Sequence, residues 1–234
     1  MADSRAPVLH ESAGRRLWMA ASLVGEDPAA WLAAGAEGLE QRAAETGGGR
    51  VLGKGRGAAR ALTVGGRPGV WRHNRHGGLM RDLLGDRYVS SVRLAREIAL
   101  SVELRRGGVN TPEVLLALAE RRGGWVRQHL VTEEVLRAVT VFEAREDEAA
   151  LAAADGMLEQ VFELGLWATD LHPDNLLWQA DAQHPEGGRC WIIDLAGAAM
   201  RIGPLRPQER AARRARFARY FAKHAGSVPA RFQL

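Results

Sequence analysis

Thr169-Asp170-Leu171-His172-Pro173-Asp174-Asn175-Leu176-Leu177, followed downstream by Trp191-Ile192-Ile193-Asp194, is the stretch on which the reading of this chain turns. Phosphoryl transfer calls for a carboxylate beside the acceptor hydroxyl, an amide oxygen that can hold metal, and a second carboxylate on a metal bridging nucleotide phosphates. Asp170, Asn175 and Asp194 have those chemical types in that order. An Asp and an Asn on one polar loop, with a further Asp closing an apolar strand after a hairpin-sized gap, match the catalytic-loop and metal-loop pairing of kinases. The competing reading is an ordinary turn, because DLHPDN is built from turn-forming residues.

The flanking pattern decides between the two. Upstream, Arg50–Leu52 and Ala58–Val64 read as strands around Gly53-Lys54-Gly55-Arg56-Gly57, and a turn at Gly65–Gly69 leads into a third strand, Val70–His73. A glycine loop between strands can offer backbone N–H groups to phosphate where side chains would block approach. Gly48 to Lys54 nearly spells the other phosphate loop, GxxxxGK, but Gly55 stands where a magnesium-binding hydroxyl is needed and no helix follows, so that reading is rejected. Lys54 is a candidate phosphate contact, with a solvated loop lysine as the alternative.

In a kinase the third strand supplies a cation to the phosphates, held by a glutamate on the following helix. Arg72 occupies that strand. The helix is predicted over Ser91–Arg106, where Val92, Ala95, Ile98, Ala99 and Val102 recur at helical spacing and Gly107-Gly108 provides the stop; it carries Glu97. Strands at Glu113–Ala119 and Trp125–Thr132 follow, then a helix with Leu151, Ala154, Leu158, Val161 and Phe162 on one face. Beyond Gly165 come the polar loop, short strands at Leu176–Trp178 and Cys190–Ile193, and an arginine-dense helix over Pro207–His224. A surface arginine and a surface glutamate are commonplace singly. The agreement of glycine loop, strand cation, helix acid, D-x4-N loop and terminal aspartate, in order, predicts an α+β, protein-kinase-like fold.

Composition sets the outer bounds. The 234 residues are 46% hydrophobic and 26% charged, which suits a globular protein with a real core. The single cysteine, Cys190, excludes an intramolecular disulfide and multi-cysteine zinc sites, and points to a cytoplasmic setting. No stretch approaches the roughly 18 apolar residues of a membrane span. Arg15-Arg16 ahead of Leu17–Gly25 resembles an export signal, but Glu26 and Asp27 follow at once and polar residues precede it, so it reads as mature structure. Of the 32 basic residues only Lys54 and Lys223 are lysines; the rest are arginine.

Taken in order, GKGRG, RHxRHGGL from Arg72, DRY at Asp86–Tyr88, the helix with Glu97, LVTEEV, TDLHPDNLL and WIIDL resemble the 3-deoxy-D-manno-octulosonic acid (Kdo) kinase and lipopolysaccharide kinase family, from about Arg50 to Lys223. The RHxRHGGL and DRY stretch is the specific part. The resemblance implies a five-stranded antiparallel N-lobe at about 46–132 and an abbreviated, mostly helical C-lobe at about 136–234, with nucleotide in the cleft; residues 1–45 would be a helical N-terminal extension. It implies ATP and Mg2+ as cofactors and Kdo-lipid A as acceptor at the cytoplasmic face of the inner membrane. Asp170 would be the catalytic base and Asn175 and Asp194 metal ligands. Gly53, Lys54, Gly55, Gly57 and Arg72 would face phosphate, Glu97 would fix the cation, and the backbone at Thr132, Glu133 and Val135 would form the adenine hinge.

Two departures stand out: Ala168 where the family usually has histidine, and Leu195-Ala196 in place of phenylalanine and an acid. DLHPDN also resembles the loop of aminoglycoside and choline kinases, which keeps a small-molecule acceptor as an alternative; the departures motivate a second, a degenerate kinase acting as a binding scaffold. The short tail after Asp194 leaves little room for peptide binding. In the terminal helix Arg206, Arg210, Arg213 and Arg214 form one stripe and Arg216, Arg219 and Lys223 a second. Such a face suits anionic lipid head groups or simple solvation; no aromatic stacking surface accompanies it, so nucleic acid is not expected.

Overall fold

The computed structural model describes residues 6–52, 59–75, 85–184 and 186–233. Two compact units emerge, one from the chain up to Ala99 together with Glu113–Glu134, the other from Leu100–Pro112 together with Val135 onward.

The first unit is built on an antiparallel sheet. Its strands are β1 (Val8–Ser12), β2 (Arg15–Met19), β3 (Val51–Leu52), β4 (Ala59–Val64), β5 (Arg67–His73), β6 (Val114–Arg122) and β7 (Trp125–Glu133), in the spatial order β1-β2-β6-β7-β5-β4-β3. The predicted strands β3 to β7 are all present. The sheet is larger than the five strands expected, because the first 45 residues are not simply a helical extension. A hairpin turns at Ala13-Gly14, both at positive φ, and β2 then pairs with β6 from Arg15↔Glu120 to Met19↔Leu116. Such two-residue turns favour Asn, Asp or Gly at the first position. Alanine there hides the turn in the sequence.

Helix α1 (Pro28–Thr46) does supply the expected helix, with Asp27 capping the Ala29 N–H at 2.9 Å and Pro28 in its first turn. It breaks at Gly35, whose φ of 61° and ψ of −145° are far from helical. Arg15 fills the break, donating to the carbonyls of Leu32 and Ala33 while its Nε donates to buried Glu120 at 2.7 Å. The positive φ at Gly35 calls for glycine, and a Cβ there would lie 2.8 Å from the ends of the Arg15 and Glu120 side chains and push on their pair.

Both faces of the sheet are covered. Trp31, Leu32, Leu39 and Ala43 of α1 pack with Leu17, Leu62, Leu116, Leu118 and Val131. On the other face Leu94 and Ile98 of α2 (Val92–Arg106) pack with Val114, Ala117, Ala119 and Leu130. Alternate residues of β6 therefore enter different cores, which is why this strand reads as an unbroken apolar run.

The second unit contains α3 (Glu148–Glu163), α4 (Pro207–Ala225) and five short strands. Strands β8 (Val139–Thr140), β10 (Leu176–Ala180) and β11 (Gly188–Ile192) form one sheet in the order β11-β10-β8, and β9 (Leu166–Ala168) pairs with β12 (Ala198–Met200). Asp147 caps α3, and the predicted face of Leu151, Ala154, Leu158, Val161 and Phe162 is buried. Phe217 and Phe221 of α4 join the same core, with Phe232 against them. At Gly165, φ is +86° and a Cβ would meet the Gly203 carbonyl oxygen at 2.3 Å, so α3 stops there and the chain turns toward the loop that bears Asp170.

Candidate active site

Three residues singled out for phosphoryl transfer lie in the second unit, and backbone pairing brings them together. The DLHPDN loop follows β9 and closes with a 3-10 turn at Pro173–Asn175 before β10. Asn175 folds back to donate from Nδ2 to the Asp170 carbonyl at 2.8 Å. With its nitrogen engaged, the amide presents its oxygen elsewhere, which is the end a metal would use. The Ile193 N–H donates to the Asn175 carbonyl at 2.9 Å, so the residue preceding Asp194 is stitched to the loop.

Asp194 is exposed and lies two residues past β11, not on a buried strand end as its apolar run suggested. Its φ is +57°, a left-handed conformation that few residues other than glycine adopt and that Asp and Asn tolerate best. The amide oxygen and carboxylate suit a hard divalent cation that completes its shell with phosphate oxygens and water. Among the described residues no group of three or more His, Cys, Asp or Glu is placed to hold a metal alone. A metal at Asn175 and Asp194 would therefore depend on ligands brought by the nucleotide.

Asp170 is open, with its side chain 61% exposed. Arg216 of α4 donates to its Oδ1 at 3.2 Å, and His172 Nε2 lies 3.8 Å from the same oxygen. The loop is fastened to α4 close by: Tyr220 donates to Asp174 Oδ2 at 2.5 Å and its ring stacks on His172 at 4.6 Å. Burial, then the Asp174 carboxylate, pushes the Tyr220 hydroxyl up to about 12, so it remains a donor. Burial holds the His172 imidazole below its usual range despite Asp170 and Asp174 nearby.

Ala168, the departure from the family's histidine, is buried and held by its backbone. It pairs with Ala198, and its carbonyl accepts from Arg213 at 3.3 Å. Trp167 beside it lies between the guanidinium groups of Arg201 and Arg213, each 4.4 Å from the ring centroid. The strand that leads into the loop is thus tied to α4 through Arg213. Residues Arg213, Arg216 and Tyr220 were missed as loop partners; their i, i+3, i+7 spacing was the available signal, but Arg213 and Arg216 fell in two separate basic stripes and Tyr220 in neither.

That stripe also needs correction as a free basic face. Arg210 pairs with Glu159 and Glu163 at 3.2 and 2.6 Å, Arg214 with Asp155 and Glu159 at 2.7 and 2.6 Å, and Arg206 with Glu209 at 3.1 Å. Three of the four arginines of the first stripe are thus neutralised by their own unit, chiefly by α3, while Arg213 faces Trp167 and the Ala168 carbonyl. Arg216, Arg219 and Lys223 remain exposed.

In the first unit Arg72, on β5 opposite Leu130, forms an ion pair with Glu97 of α2. Glu97 is only 4% exposed, which makes this an anchored pair. The DRY stretch braces the same strand. Asp86 meets His73 at 3.3 Å and Arg127 at 3.1 Å, and the Tyr88 backbone exchanges hydrogen bonds with Val126 at 2.9 and 2.8 Å. The expected hinge residues run from the end of β7 to the start of the second unit. Thr132 pairs with Val70 and Val114, the Glu133 and Glu134 N–H groups donate to Glu113 and Pro68, and Val135 opens the next segment. The glycine-loop candidates Gly53, Lys54, Gly55 and Gly57, and the HGGL part of RHxRHGGL, lie outside the described residues.

An open cavity of about 830 Å³ in the second unit, between α3 and the β10–β11 hairpin, is lined by Ala149, Ala153, Gly156, Met157, Gly188 and Cys190 among others. None of the expected site residues lines it. No helix among the described residues is long and apolar enough to cross a membrane.

Comparison with known proteins bears on the fold and on the family. Among solved structures, a WaaP in complex with acyl carrier protein is similar with a TM-score of 0.54 at 19% identity, covering 88% of this chain and 80% of that one. A Rio2 kinase from Chaetomium thermophilum, solved with ADP, Mg2+ and phosphoaspartate, is similar with a TM-score of 0.52 at 20% identity, covering 82% and 61%. These likenesses establish the protein-kinase-like fold. Among curated proteins, 3-deoxy-D-manno-octulosonic acid kinase of Photobacterium profundum is 30% identical over 190 residues, 77% of this chain and 75% of its own length. The enzyme of the same name from Vibrio vulnificus is 34% identical over 131 residues, 53% of each. The family model described as lipopolysaccharide kinase (Kdo/WaaP) matches residues 45–225. With the match running through both units, from ahead of β3 to the end of α4, the chain belongs to the lipopolysaccharide kinase (Kdo/WaaP) family.

Proposed function

We propose that this phosphotransferase uses Mg-ATP to phosphorylate a hydroxyl of Kdo in the inner core of lipopolysaccharide. The observation that carries the reading is the tie between the DLHPDN loop and the segment after β11: Asn175 bonded to the Asp170 carbonyl, and Ile193 to Asn175. Together they tie the backbone at Asp170 and beside Asp194 to Asn175, which supports a shared role for a carboxylate base candidate, an amide oxygen and a second carboxylate. Asp170 accepts the proton of the attacking hydroxyl and orients it, a role that suits its exposed carboxylate. Asn175 and Asp194 would hold the metal, which when bound neutralises charge on the transferring phosphoryl group. The Arg72–Glu97 pair fits the strand cation and helix acid of a kinase. Lys54 and the glycine loop stay in the proposal as phosphate contacts, and Thr132, Glu133 and Val135 as the adenine hinge, on the family resemblance alone. So does work at the cytoplasmic face of the inner membrane.

The test is transfer from γ-labelled ATP with magnesium to a panel of acceptors: a Kdo-bearing lipid A precursor, an aminoglycoside and choline. Label on Kdo alone is expected. Label on the amines instead would move the enzyme to the small-molecule kinases, and nucleotide binding without label anywhere would favour the scaffold reading.

A further inference from the structure

The contact between Arg216 and Asp170 is unusual in what it joins. A general base for hydroxyl attack needs its carboxylate facing the acceptor, yet here one oxygen accepts from a guanidinium at 3.2 Å. Both partners are open to water, 47% and 61% exposed, and the contact is single rather than a two-pronged fork. Exposed pairs of this kind contribute little to folding and exchange readily. The backbone beneath Arg216, by contrast, is fixed to the loop on either side, by Arg213 on the Ala168 carbonyl and by Tyr220 on Asp174 and His172. A cation is therefore held at the base with a replaceable grip. Arg219 and Lys223 continue the same face at i+3 and i+7. Neither has an acidic partner among the described residues, whereas Arg210 and Arg214 have two each.

We infer that Arg216 is the acceptor-recognition residue: its guanidinium leaves Asp170 to grip an anionic group of the acceptor sugar, a carboxylate or a phosphate ester, and so frees the base as the correct acceptor arrives, with Arg219 and Lys223 extending the anion track. This rests on the kinase reading for the role of Asp170. The chemistry favours an acidic sugar, because a guanidinium matches a carboxylate or phosphate through two parallel hydrogen bonds. It disfavours aminoglycosides and choline, whose positive charge would meet three cations.

The experiment compares Kdo with its neutral methyl ester, in the wild-type protein and in Arg216→Gln and Arg216→Lys. Transfer is read as the ratio of kcat/KM for acid over ester, and binding by calorimetry without nucleotide. Wild type should prefer the acid by about 10- to 100-fold, the scale of a charge-assisted hydrogen bond. The preference should fall to about twofold in Arg216→Gln, mainly through KM, and recover in part in Arg216→Lys. An undiminished preference in Arg216→Gln, equal binding of acid and ester, or no binding of the acid at millimolar concentration would overturn the inference. If no sugar is phosphorylated but calorimetry still shows Arg216-dependent selectivity for the acid, the kinase reading fails and the anion subsite stands. A phosphorylated sugar monoester without the carboxylate separates the two anions: binding equal to that of Kdo supports phosphate as the group gripped, and weaker binding supports carboxylate.

Discussion

Two arginine–carboxylate contacts, one in each unit, serve opposite ends. Arg72 meets Glu97 where the acid is 4% exposed and braced by α2 against the sheet, whereas Arg216 meets Asp170 where the acid is 61% exposed. Removing one partner of a buried pair leaves a charge without compensation, so such a pair is costly to break and keeps its geometry. An exposed pair is close to neutral in stability and free to exchange. Burial thus marks the first as a pair of fixed geometry and the second as a contact that another anion can replace.

The sharpest break should come beside the exposed pair. Asp194→Asn keeps a residue that tolerates the left-handed backbone but removes the carboxylate charge. It should weaken magnesium-dependent ATP binding by about 10²-fold or more, read by calorimetry with and without metal. Unchanged affinity would remove Asp194 from the metal site. Next in size is the buried pair. Arg72→Lys should lose activity by about tenfold or more, Glu97→Gln by a similar factor, and the double mutant little more than either, giving a coupling of about 1–3 kcal/mol in a double-mutant cycle. Independent effects would mean that the two do not act as a unit.

A smaller effect concerns pH. Burial, with His73 and Arg127 nearby, holds the His129 imidazole down to about 3, and burial lowers His73 as well. His129 therefore stays neutral in the folded first unit over most of the range below about pH 6.5 in which the unfolded chain takes up protons, and stability rises with pH wherever the unfolded state binds more protons. Stability should therefore fall as pH drops from about 6.5 toward 3, by on the order of 1 kcal/mol per unit for His129. His129→Gln should flatten that slope in a urea series. A slope unaltered by the substitution would show that other groups set it. Smallest of all, Arg210→Ala and Arg214→Ala should each lower the midpoint of thermal unfolding only slightly, since each acidic partner on α3 keeps part of its carboxylate in water. Larger losses would mean that α4 depends on those pairs to stay docked.

Much of this was legible in the chain itself. Helix α3 buries the apolar face its spacing predicts; α2 forms where expected, but it packs through Leu94, Ile98 and Leu104 while Val92 and Ala99 of the predicted face are exposed, and α4 was legible through its arginine stripes and the D-x4-N loop through its chemistry. What stayed hidden depends on distant partners. The β1–β2 hairpin lacks a turn signature at Ala13, and β2 becomes a strand only because β6 offers an edge. Exposure of Asp194 could not be read from the apolar run ahead of it. The α4 arginines looked like one kind of surface, yet Glu159 and Asp155 neutralise some, Trp167 and Ala168 hold Arg213, and Arg216 reaches Asp170. Side chains sixty residues apart or less in sequence gave no hint of that division, because it follows from which face of α3 lies beneath α4.

The central claim, that the open carboxylate of Asp170 is the base for transfer to a sugar hydroxyl, is tested most directly by single-turnover transfer in Asp170→Asn, with Mg-ATP affinity measured on the same preparation. The account predicts an affinity within about threefold of wild type and a transfer rate lower by about 10²-fold or more. Transfer near the wild-type rate, with ATP bound normally, would contradict it.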